Sequence, residues 1–433
     1  MIGLAALLWW SATRESSLDR EIDRRVAELR ASGEPVDAAD LARLFPNPPP
    51  SEDAGKLLTN LLALAERNPP PAATPFIMAN LGPSRGEAMG ETIVWQLEAY
   101  REQTKPIFTN WPSPWPDRLR FAPHWERGME SNSVPNFIRT RALIHMLNAL
   151  ALTAAERDDA VEATDSLERG FLFARTIDSD GLVTHMIKQA FAGLNVTVAE
   201  RSLNRVGFTP AQLDRIAVAL APRDTNSLIN ALHGEHVMAI WAFQEARSGR
   251  PLIEITGGPV GRDAWWRRAL EKFKLRRKTY SDQDFVAYLS IYRPSLKALA
   301  LPPTSAMTNL PALMNSYSTQ VTSEVAQAVP ANWTKALRSH YEHEARLAAL
   351  RSALAIEQFR FANSGKIPAR LPELVPDFLP AVPHDLFDGQ PLRFKTLPRG
   401  YVVYSIGADG VDDGGLERTN NAARYDVTIT VER

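Results

Sequence analysis

The chain reads as mainly α-helical: a layered helical body, followed at its C-terminal end by a small α+β unit of one long helix and an antiparallel sheet. Two observations predict this. Apolar residues recur at three, four and seven along most of the 433 residues, the period of a helix with one buried stripe. From residue 391 onward short β-branched and aromatic runs take over, Tyr401-Val402-Val403-Tyr404 among them, and Val427, Ile429 and Val431 alternate in a last strand. With 45% hydrophobic and 23% charged residues the chain can bury a sizeable core.

Charge and cysteine content exclude several classes. Forty-nine Lys and Arg residues against 50 Asp and Glu leave a net charge of −1, so there is no basic excess to neutralise a nucleic-acid backbone. The absence of cysteine excludes disulfides, thiolate catalysis, zinc ribbons and iron–sulfur clusters.

The first ten residues, MIGLAALLWW, are uncharged, and the chain turns abruptly into a charged helix after Ser11. The run falls short of the ~20 residues a spanning helix needs and lacks the basic flank of a signal peptide. It is either the outer end of a signal anchor that starts upstream, with Trp9 and Trp10 at the interface, or a helix end packed on the core. The abrupt change favours an anchor over residues 1–15 and places the protein in the cell envelope, held in the inner membrane and facing the periplasm.

Residues 16–135 come next. A helix over 16–31 carries Leu18, Ile22, Val26 and Leu29 on one stripe and ends at Gly33-Glu34-Pro35. Asp37 caps a second helix to Phe45, and Pro46, Pro48, Pro49 and Pro50 then hold the chain extended. Helices over 53–67 and 84–104 follow, the latter with Ile93, Leu97 and Tyr100 at helical spacing. The stretch 105–135 is irregular and rich in Trp and Pro, as in Trp111-Pro112-Ser113-Pro114-Trp115-Pro116. It serves as an aromatic wrap over the core or as a groove for a peptide or glycan.

Residues 136–334 read as an α-helical layer, with helices over 136–153, 159–177, 182–205, 210–220 and 225–248. Thr209-Pro210 opens the fourth, and Asp224 caps the fifth. The alanine-rich pairs loosely resemble tetratricopeptide hairpins, without that repeat's signature or a strict period. After a Gly/Pro linker, helix 263–278 carries seven basic residues interleaved with Trp265, Trp266 and Phe273: a solvated face, or a contact with an anionic membrane surface.

Two histidine pairs stand three apart, His233/His236 with Glu235 and His340/His343 with Glu342 and Glu344. Residues at this spacing share a helix face and suit two metal ligands, but the zincin pattern places its histidines four apart. Nucleophile-elbow, phosphate-loop and dinucleotide motifs are missing from the sequence.

The last segment, 335–433, is the most specific. An amphipathic helix over 335–363 ends at Asn363-Ser364-Gly365, and Pro368, Leu371 and Leu374 follow. Val382-Pro383-x-Asp385 precedes Phe387-x-Gly389, strands read over 391–396 and 400–405, and Tyr404-Ser405-Ile406-Gly407-Ala408-Asp409-Gly410 leads to a strand from Asp426. In this order the motifs of residues 345–433 resemble the periplasmic head of type II secretion major pseudopilins. The remainder is similar to large exported proteins of planctomycete and verrucomicrobial type that carry such a tail. The resemblance implies a calcium loop with Asp409 and Asp426 at the family's positions; Asp412 and Asp413 lie within reach, and clustered carboxylates with glycines suit hard Ca²⁺.

The chain departs from the family at its N-terminus, where no prepilin-peptidase site stands; the one Gly-Phe-Thr, at Gly207, is mid-chain, and Leu386 replaces the proline after Asp385. The expectation is therefore a non-enzymatic scaffold with protein partners, whose calcium-stabilised pseudopilin-like head serves type II secretion or a larger membrane complex. The alternative is an envelope hydrolase with its cleft at the Trp/Pro-rich stretch or a metal at an HxxH pair.

Overall fold

The computed structural model describes residues 2–47, 49, 55–67, 88–109, 111, 115, 137–221, 226–248, 281–417 and 424–433. Segment 263–278, Asp224 and most of the Trp/Pro-rich stretch lie outside them. Twelve helices are described: α1 Ile2–Ala31, α2 Ala38–Leu44, α3 Gly55–Arg67, α4 Glu91–Thr109, α5 Phe137–Glu156, α6 Ala160–Thr176, α7 Leu182–Leu203, α8 Pro210–Leu220, α9 Ser227–Arg247, α10 Asp282–Leu299, α11 Pro303–Ser318 and α12 Glu324–Ala362. A short 3-10 turn, Leu371–Leu374, precedes β1 Arg393–Leu397, β2 Gly400–Ser405 and β3 Val427–Glu432. The fold is thus mainly helical with one small antiparallel sheet, as the periodicities imply.

Local chemistry sets the helix starts. Asp37 caps α2 by accepting from the Asp40 amide at 2.9 Å. Asp159 does the same for α6 with Glu162 at 3.0 Å. Thr209 and Gln212 form a reciprocal capping box around Pro210. Two boundaries differ from expectation. The apolar N-terminal run and the charged stripe expected at 16–31 form one continuous helix, α1, and among the described residues no helix is long and apolar enough to cross a membrane. The long C-terminal helix begins at Glu324 rather than 335, so the expected domain boundary falls inside α12.

The apolar faces meet in three main clusters. The first half of α12 packs with α1, α9, α10 and α11 around Ile22, Phe243, Tyr288, Leu310 and Trp333. α3 to α7 enclose a second cluster of Leu61, Tyr100, Leu143, Phe173 and Phe191. Trp115 lies edge-on to Phe173 at 5.9 Å and stacks on Trp111 at 4.7 Å, so the two described tryptophans of the irregular stretch are an aromatic wrap. In the third cluster Leu152, Phe171, Val196 and Leu213 of α5 to α8 touch Leu350 and Ile356 of α12 and Tyr401, Val403, Ile429 and Val431 of the sheet. α12 is therefore shared, and with 39 residues at ~1.5 Å each it is about 58 Å long.

The sheet is a meander in the order β1-β2-β3, with Tyr401 opposite Val431 and Val403 opposite both Phe394 and Ile429. Its buried Tyr401 hydroxyl donates to the Ala353 carbonyl of α12 at 3.1 Å and to Glu357 Oε1 at 2.9 Å. Among the described residues the outer edge of β3 has no strand beside it, and side chains of α7 and its end take that place. Asn204 Nδ2 donates to the Thr430 carbonyl at 2.8 Å while its Oδ1 accepts from the Glu432 amide at 2.7 Å. Glu200 Oε1 accepts from the Thr430 amide at 2.8 Å. One side-chain amide thereby makes the pair of bonds a neighbouring strand would make.

Replacing Asn204 by Ala should cost about 1–3 kcal/mol, the penalty for leaving buried backbone groups unpaired. Asn204→Asp should cost at least as much, because it sets a buried carboxylate oxygen against the Thr430 carbonyl oxygen. Urea midpoints at unchanged slope, with faster exchange of the Glu432 amide, are the readout.

Candidate functional site

The acidic loop runs from the end of β2 to the start of β3, and Asp385 anchors its base. This carboxylate is buried and accepts from Ser405 Oγ at 2.8 Å, the Ile406 amide at 2.9 Å, the Phe387 amide at 3.0 Å and Arg393 Nη1 at 2.9 Å. Its charge is thus both paired and hydrogen-bonded, the condition under which a buried carboxylate is tolerated. Arg393, on β1, also bonds Asp388 and reaches Asp412 at 3.3 Å.

The four expected ligands divide. Asp426 is 2% exposed and accepts from the Gly415 amide at 2.7 Å and the Asp413 amide at 3.4 Å. Burial raises its pKa above the ordinary carboxylate value, and repulsion from Asp412 and Asp413 adds to the rise. Asp413 Oδ2 is buried with no hydrogen-bond partner among the described residues. Asp412 accepts from the Gly414 amide at 2.9 Å, and this bond, aided by Arg393 and Tyr404, lowers its pKa. Asp409 is exposed and closes its own turn by accepting from the Val411 amide at 3.2 Å. The structure therefore brings Asp412, Asp413 and Asp426 into electrostatic contact and leaves Asp409 in a separate turn.

Among the described residues no three His, Asp or Glu side chains stand close enough together to hold a metal ion; 418–423, in this same loop, lie outside them. The donor set is nonetheless all hard oxygen, and the orphaned Asp413 oxygen is what a cation would satisfy. Sequence reasoning did not single out Arg393. Its position opposite Tyr404 on β1, at the base of the loop, was the available signal.

The histidine pairs are occupied differently. His233 Nδ1 pairs with the Tyr292 hydroxyl at 2.5 Å and His236 Nδ1 with that of Tyr288 at 2.8 Å, so two tyrosines take the two rings. His236 is fully buried and stacks flat on Tyr292 at 3.4 Å. In the second pair His340 meets His185 of α7, their centroids 5.3 Å apart, with Gln189 between them. The chain was also compared with family models, with curated proteins and with solved structures, and none matches.

Burial dominates the titration of these rings. It lowers His145, His233 and His340 to about 4, His343 to about 3 and His185 to about 2, and it pushes His236 well down. Each folded-state value lies below the unfolded ~6.5, so the native state favours the neutral ring. Burial raises Glu34, Glu235, Glu344 and Asp426, which act in the opposite sense, but the imidazole shifts are larger. Stability should be complete above pH ~6.5 and fall steadily as the pH drops from there toward 4. Urea midpoints across that range are the check; a flat profile would mean that the rings are not buried as described.

Proposed function

We propose that the chain is a non-enzymatic envelope scaffold that engages protein partners, and that its C-terminal unit is a pseudopilin-like head stabilised by calcium. It would serve type II secretion or a larger membrane complex. The observation that carries the calcium assignment is the pairing of buried Asp426 with the orphaned Asp413 oxygen in a glycine-rich loop. A cation would remove their repulsion and give Asp413 Oδ2 the partner it lacks. Asp413 and Asp426 are the leading ligands, with Asp412 and Asp409 beside them. The role is structural, since the ion would join loop to strand. A long helix packed on a three-stranded meander is also the layout the resemblance implies.

The hydrolase alternative has less support. Tyr292, Tyr288 and Gln189 already engage Nδ1 of His233, His236 and His340, so a metal at either pair would have to be held through the Nε2 atoms alone.

Thermal unfolding in millimolar calcium and in chelator tests the calcium assignment. A micromolar site in millimolar calcium gains about 4 kcal/mol, so the wild-type midpoint should rise by several degrees. The rise should vanish in Asp413→Asn and Asp426→Asn. Equal wild-type midpoints in calcium and chelator would overturn the assignment. The native protein should fractionate with the membrane, and recovery as a soluble cytoplasmic protein would overturn the envelope placement.

A further inference from the structure

A cavity of about 50 Å³ lies among α6, α7, α12, the end of α8 and the start of α9, remote from the acidic loop. Two helix faces line it in register: His185, Lys188, Gln189 and Ala192 on α7, and His340, His343, Glu344 and Leu347 on α12. Both sets follow the three-and-four spacing of one helix face. Phe171, Leu220 and neighbouring alanines supply an apolar wall, and Ser227, the first residue of α9, brings the positive end of a 21-residue helix to the cavity.

We propose that this cavity binds a short-chain monocarboxylate. Hydrogen bonding fixes one donor. The Gln189 amide nitrogen can only donate, and it lies 2.9 Å from His185 Nε2 and 3.3 Å from His340 Nδ1. Both those ring nitrogens are therefore acceptors. His185 carries its proton on Nδ1, toward Ser179 Oγ at 3.2 Å, and His340 carries its proton on Nε2. The neutral His340 ring thus has a donor to offer a guest.

The local field has a definite sign. The positive charge of Lys188 acts on all three imidazoles, and Arg346 and Arg351 act on His343 as well. Arg351 Nη2 is buried without a partner among the described residues, and Arg175 stands on the lining. Glu344 opposes these cations from the same wall, and Glu200 lies 3.9 Å from Arg346. Four cations and a helix N-terminus against two carboxylates favour a guest with one negative charge.

Size and polarity narrow the guest further. A cavity of about 50 Å³ has room for roughly three to five non-hydrogen atoms. The mostly apolar wall disfavours a doubly charged oxyanion, which would lose more hydration than the site returns. Acetate and propionate fit; benzoate does not. The histidines would act as donors to the carboxylate rather than as metal ligands, in keeping with the absence, among the described residues, of any three side chains placed to hold a metal.

The test is calorimetric titration of the full chain in chelator, so that it is independent of the acidic loop. Acetate and propionate should bind saturably and raise the unfolding midpoint. Propionamide, benzoate and phosphate should bind at least about tenfold more weakly, the range expected when a charge-assisted hydrogen bond is lost or the guest does not fit. Lys188→Met, on a partly exposed position of α7, should lose about tenfold in propionate affinity, and Glu344→Gln should gain. The proposal is overturned if neither carboxylate binds the wild type. It is equally overturned if propionamide or phosphate binds as well as propionate, or if Lys188→Met binds propionate as the wild type does.

Discussion

A sheet of three short strands cannot bury a face against itself; it needs a helix to lie on. In this chain that helix is already committed elsewhere. The first half of α12 packs into the cluster built by α1, α9, α10 and α11, and its second half carries Leu350, Ile356 and the Glu357 carboxylate that meets Tyr401. Everything C-terminal of α12 is therefore fastened to the body along that helix, with Glu200 and Asn204 holding β3 as a second attachment. Arg433 strengthens the fastening, since its guanidinium pairs with Glu357 and donates to the Val206 carbonyl at 2.6 Å. A sheet held in this way shares the core of the body, and changes at it will be felt along α5 to α8.

The parts legible in the sequence are those that depend on near neighbours. Asp37, Asp159 and Thr209 act within three residues, and the helices they start begin where their chemistry says. The strands were legible for the same reason: Tyr401 to Tyr404 and the alternation to Val431 place them within two residues. The edge of β3 was not legible. Asn204 looks like an ordinary polar residue at a helix end, and its partner Thr430 stands 226 residues away. The acidic loop was half legible: its four carboxylates are visible in the sequence, but their division between Arg393, backbone amides and one orphaned oxygen depends on how β1 is placed.

Several imidazoles are buried in the interior, and burial keeps these rings neutral. His236 is stacked and bonded between two tyrosines, whereas His185 and His340 share one amide. Buried polar groups of this kind restrict which helices can sit together, because a shifted register would separate donor from acceptor. The close crossing of α9 over the turn before α7 has the same effect: a Cβ at Gly234 would lie 2.1 Å from the Asp180 carbonyl oxygen, so only glycine fits.

The pairing of Asn204 and Glu200 with β3 also bears on what the sheet can do with another molecule. An unpaired strand edge is a template on which further strands can add, and a sheet normally presents two. Here one edge is closed by α7 and the residue just after it, and among the described residues β1, with exposed Lys395 and Thr396, supplies the other. Two copies joined β1 to β1 would use up both open edges at once. Edge-to-edge growth of this sheet therefore stops at a dimer and cannot propagate into a fibre unless α7 first lets go of β3.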